Sequence, residues 1–73
     1  MDRLTLALII AQNGLRTAAT LLAARAAKAE SQAGSASGAE ATKLKKDATR
    51  SRKLAAALTA ADTGITSYLA ETV

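Results

Sequence analysis

Three features of the chain predict an all-α fold, a two-helix antiparallel hairpin packed like an Ala/Leu coiled coil. Proline is absent from the 73 residues. Two alanine- and leucine-rich stretches of nearly equal length carry apolar residues at alternating three- and four-residue steps. The small residues from Ala33 through Gly34, Ser35, Ala36, Ser37 and Gly38 to Ala39 divide them, and that composition favours a turn over a continuing helix. Residues 1–73 therefore read as a single domain: a helix over about residues 2–32, a linker at 33–39 and a second helix over about residues 40–71.

In the first stretch, Leu4, Leu8, Ala11, Leu15, Ala18 and Leu22 form a heptad seam with leucine at one core position and mostly alanine at the other. The second stretch answers with Leu44, Ala48, Ser51, Leu54 or Ala55, Leu58, Ile65 and Leu69. Folding about residue 36 sets Leu4 near Leu69, Leu8 near Ile65, Leu15 near Leu58 and Arg25 near Asp47. Large residues then meet large ones, and small meet small. Asn13-Gly14 and Asp62-Thr63-Gly64 interrupt the stretches at similar heights. Asn-Gly could cap and end a helix, giving a four-segment fold; the favoured expectation is that both glycines lie inside continuous helices, where they permit kinks and close packing.

A second apolar group on the first helix lies away from this seam. At 100° per residue, Leu6, Ile10 and Leu21 cluster more than about 100° from it, with Ile9 on another side. One hairpin partner cannot cover both faces, so these four residues are the expected intermolecular docking group. A two-helix hairpin of this length also leaves half of each helix wet. A partner surface is therefore expected to complete its core.

The formal net charge is +4, concentrated where Lys43, Lys45, Lys46, Arg50, Arg52 and Lys53 are opposed only by Asp47. Lys43, Lys46, Arg50 and Lys53 fall on one stripe at helical spacing, suited to an anionic partner. Without stacking aromatics or a recognition element, nucleic-acid contact there would be nonspecific. Asp62 projects toward the seam within reach of Arg16, Arg3 should lie near Glu71, and Asp2 and Glu30 are expected to be solvated.

Histidine and cysteine are both absent, which removes the commonest general bases, thiol nucleophiles and metal ligands. No catalytic residue, metal site or cofactor is expected, nor is a small-molecule substrate. The longest uncharged run, Leu4 to Leu15, spans only about 18 Å as helix, short of a hydrocarbon core of about 30 Å. No transmembrane span is expected. The acidic second residue argues against a signal peptide, so a reducing cytoplasm or a virion is favoured over secretion.

The function that follows is that of a small noncatalytic structural or assembly protein. Its apolar helix faces would dock it into a homo-oligomer or a larger particle, such as a phage virion or secretion apparatus, with protein partners that include copies of itself. A basic nucleic-acid-binding or packaging protein using the Lys43–Lys53 stripe is the alternative. A peripheral membrane binder inserting the Leu4–Ile10 region is the third reading.

Overall fold

A computed structural model describes residues 2–72. Two helices, α1 (Arg3–Ser35) and α2 (Gly38–Thr72), pack along their whole length into a rod whose Cα extents are 53 × 15 × 12 Å. The fold is the all-α hairpin.

Asp2 starts α1. Its extended backbone leaves the side chain free to accept the Thr5 N–H at 2.7 Å, satisfying one of the donors that a helix N-terminus strands. Helical structure runs unbroken through Gly14 and Gly64, and Glu40 brings negative charge to the first turn of α2, where the helix dipole favours it. The linker is much shorter than the composition suggested. Only Ala36 and Ser37 lie outside the helices, and Gly34 is helical despite its cost. Extending α1 to Ser35 brings Ala33 into the seam, where it is buried, and Ala41 of α2 is half-buried at the matching height. Gly38 makes the short turn feasible, because its φ of 65° is a left-handed conformation that L side chains resist.

The burial pattern gives the phase of the seam. In α1 the buried or half-buried positions are Thr5, Leu8, Ile9, Gln12, Leu15, Ala18, Ala19, Leu22, Ala26, Ala29 and Ala33. In α2 they are Ala41, Leu44, Asp47, Ala48, Ser51, Ala55, Leu58, Asp62, Ile65 and Leu69. Apart from Ile9, Ala18 and Asp47 on its flanks, both sets keep heptad spacing. The structure thus shares Leu8, Leu15, Ala18 and Leu22 with the sequence-based seam, but moves the alternate position from Leu4 and Ala11 to Thr5 and Gln12, while Ala18 and Ala19 are both half-buried. Leu4 and Leu54, both expected in the seam, are exposed instead.

Antiparallel alignment places Leu8 opposite Ile65, Leu15 opposite Leu58, Ala19 opposite Ala55 and Ala26 opposite Ala48. Ala26, Ala29 and Ala48 form the buried cluster near the turn. Their small side chains let the helices approach closely there. No large side chain is fully buried among the described residues.

The two turn glycines should respond oppositely to alanine. Gly38→Ala forces a left-handed backbone on a Cβ and should cost about 1–2 kcal/mol. Gly34→Ala adds a methyl into open helical surface, with nothing within 4 Å, and should stabilise by about 0.5–1 kcal/mol. Chemical denaturation of both variants followed by circular dichroism checks this; equal effects would refute the turn geometry.

Candidate functional site

The ion pairs show which helix edges meet. On one edge, Arg25 grips Asp47 through two nitrogens, at 2.9 and 3.2 Å. On the other, Arg52 holds Glu30 with Nε 3.1 Å from Oε2 and a second bond from Nη2. Glu30, expected to be solvated, is thus tied across the hairpin. Arg16 Nε donates to Asp62 Oδ2 at 2.9 Å. Arg3 and Glu71 form no ion pair, because helical spacing points both outward from the seam.

With the edges fixed, helical geometry gives the hairpin two unlike broad faces. The Arg25–Asp47 side carries Leu4 and Leu21 from α1 and Leu54 and Tyr68 from α2, exposed by 58%, 66%, 52% and 45%. Between these large side chains lie only small ones: Ala11, Gly14 and Ala18 on α1, and Ala57, Ala61 and Gly64 on α2. A shallow groove of about 360 Å³ opens at the terminal end of this face, lined by Leu4, Leu8, Ala61, Gly64, Ile65 and Tyr68. Arg16 and Asp62 are the only charged residues in the spans 4–21 and 54–68, and they bond to each other.

The opposite face is polar. Asn13, Thr20, Thr59, Thr63 and Thr66 lie along it, all exposed. Thr59, Thr63 and Thr66 donate to carbonyls one turn back in α2, at 2.9–3.1 Å, which satisfies their hydroxyls locally. Thr66 also accepts from Gln12 Nε2 at 2.8 Å, and the same amide reaches the Asp62 carbonyl at 3.3 Å. Gln12, only 7% exposed, thereby builds a polar layer between the Leu8–Ile65 and Leu15–Leu58 levels. A buried polar group at a core position specifies register. The layer carries a cost, since Asp62 Oδ1 is buried without a hydrogen-bond partner.

The predicted docking residues separate in three dimensions. Leu6, Ile10 and Leu21 are exposed, whereas Ile9 is half-buried beside the seam. Leu21 joins the apolar broad face, Ile10 points straight outward and Leu6 leans toward the polar face. Leu4, Leu54 and Tyr68 complete the larger patch and were not in the expected group. The recurrence of Leu54, Ala61 and Tyr68 at seven-residue intervals is the sequence signal for it.

Lys43, Lys46, Arg50 and Lys53 are exposed along the outer edge of α2. Among the described residues none of them is ion-paired, because Asp47 and Glu30 are held by Arg25 and Arg52. By length and composition α1 could cross a membrane: an 18-residue window has mean hydropathy 1.3, with 6% of it buried. Within α1, Gln12 and Arg16 are bonded to α2. Among the described residues, no group of three His, Cys, Asp or Glu could hold a metal ion.

Comparison with protein-family models, curated proteins and solved structures finds no match to this chain.

Two acids give the hairpin an acid limit. The Thr5 backbone N–H holds the Asp2 carboxyl below its ordinary range, and the Arg52 guanidinium does the same for Glu30. Groups with lowered folded pKa values contribute stability above the unfolded value and lose it as pH falls through the folded one. The thermal midpoint should therefore drop as pH falls below about 4, and Glu30→Gln should flatten part of that fall. Melts recorded from pH 7 to pH 2 test this; an acid limb identical in both proteins would exclude the Glu30 contribution.

Proposed function

We propose that this chain is a small noncatalytic structural or assembly protein whose apolar broad face docks onto protein neighbours in an oligomer or larger particle. One observation carries the reading: among the described residues the hairpin fully buries no large side chain, yet it gathers Leu4, Leu21, Leu54 and Tyr68 on one face. Two helices share a single seam, so the remaining apolar area needs a third surface to leave water. Burying apolar area contributes roughly 25 cal/mol per Å², and contiguous exposed patches of this kind mark interaction sites. The polar threonine face is the side that such an assembly leaves in solvent.

The Lys43–Lys53 stripe supports a second reading, contact with a polyanion. Its four cations are exposed and unpaired among the described residues, and phosphate binding asks only for cations at suitable spacing. Duplex DNA retardation should then weaken with salt at a log–log slope of roughly −3 to −4 for about four phosphate contacts. No retardation at low salt would remove this reading and leave the first untouched.

Light scattering coupled to size exclusion tests the docking face. Wild type should exceed monomer mass, or gain helicity as concentration rises. Leu21→Glu/Leu54→Glu should remain monomeric while keeping its helical circular dichroism, because neither side chain lies in the seam. A wild-type monomer with concentration-independent melting, matched by the variant, would overturn the proposal.

A further inference from the structure

Resting on the docking reading above, we infer that the occupant of the apolar face is a second copy of this chain, packed antiparallel about a two-fold axis at Gly14 and Ala61. The face has a knob end and a groove end. Leu21 and Leu54 stand at the same height of the hairpin and form the knobs. Leu4 and Tyr68 flank the groove, with Ala61 and Gly64 in its floor. Reversing one copy over the other sets the knobs of each beside the groove of its neighbour, twice.

The heptad arithmetic closes to within one residue, about 1.5 Å along the helix. With Gly14 facing its own counterpart, Ala7 falls opposite Leu21, and Ala11 falls one residue from Ala18. With Ala61 facing its counterpart, Leu54 falls opposite Tyr68, and Ala57 falls one residue from Gly64. Gly14 and Ala61 stand at nearly the same height in the hairpin register, so a single axis serves both helices. Self-complementarity of this kind is the requirement for an isologous interface.

Charge selects this arrangement over a parallel stack. Parallel copies would bring their two basic turn ends together, whereas reversal sends them to opposite ends of the dimer. It also brings Glu71 of each copy within one residue of Arg50 of the other, and neither pairs with another of the described residues in its own chain. Lys46 and Lys53 stay on the outer edge.

The overlap runs about 25 Å along the helices at 1.5 Å per residue and is two helices wide, which buries on the order of 1,000 Å² in total. That lies at the low end for a specific interface, so the dimer should be reversible at micromolar concentrations.

Because the chain contains no cysteine, single cysteines report the geometry cleanly. A Cβ at Gly14 meets nothing within 4 Å inside the hairpin, and Ala61 offers a second, independent probe on the other helix. Under mild oxidation, Gly14→Cys and Ala61→Cys should each yield disulfide dimers at least tenfold faster than Asn13→Cys, which lies toward the polar face. Arg50→Glu and Glu71→Lys should each weaken association several-fold, and the two changes together should restore it.

Equal rates at Gly14→Cys and Asn13→Cys in a protein that still sediments above monomer mass would overturn the two-fold and leave the docking reading standing. A wild-type monomer up to millimolar concentration, with no selective cross-link, would overturn the self-pairing. If that monomer were also fully helical and melted independently of concentration, the docking reading would fall with it. Co-sedimentation of that monomer with phosphatidylglycerol vesicles, lost in Leu21→Glu/Leu54→Glu, would assign the face to lipid and likewise overturn the inference.

Discussion

Close approach of two alanine-lined helix faces is the constraint on which the rest of the structure depends. Ala26, Ala29 and Ala48 form the buried cluster near the turn, where small side chains permit close approach of the helices. The hairpin therefore holds its register without fully burying a large side chain among the described residues. Its larger residues lie toward the termini, and several of them sit on the flanks of the seam. A molecule built in this way has an interior of methyl groups and an exterior that carries much of its hydrophobic area.

Register then falls to polar groups. Gln12 reaches across to Thr66 and the Asp62 carbonyl, and an axial slip would strand its amide in a half-apolar layer. The Arg25–Asp47 and Arg52–Glu30 pairs are exposed, and exposed pairs are individually weak. Their structural effect is to mark the two edges of the hairpin. Once these edges are set, heptad spacing sends the threonines to one side and Leu4, Leu21, Leu54 and Tyr68 to the other. The chemical contrast between the faces, more than any single residue, supports the docking proposal.

Much of this was legible before any coordinates. Proline-free alanine-rich stretches on either side of a glycine- and serine-containing segment specify the hairpin, and Leu8, Leu15, Leu22, Leu58 and Ile65 were readable as seam residues from spacing alone. Leu4 was not, because hydrophobicity prefers Leu4 and Ala11 over Thr5 and Gln12 as the alternate core positions. The preference reverses once Gln12 has an acceptor on α2, and no single-helix pattern contains that acceptor. At the Leu54–Ala55 step, Ala55 takes the half-buried seam position and Leu54 is exposed. The rotation carried Leu4 and Leu54 out of the predicted seam and onto the candidate face beside Leu21 and Tyr68.

The sequence by itself determined the helices, their antiparallel pairing, the basic stripe and the absence of histidine and cysteine chemistry, because these follow from composition and local periodicity. Only the tertiary structure decided the rotation of each helix about its axis, the length of the turn and the gathering of apolar side chains on one broad face. Rotation is set by contacts between residues some fifty positions apart, such as Gln12 with Thr66. Turn length is set by the gain from burying Ala33 against the cost of keeping Gly34 helical. Both are comparisons between surfaces that exist only after the chain has folded back on itself.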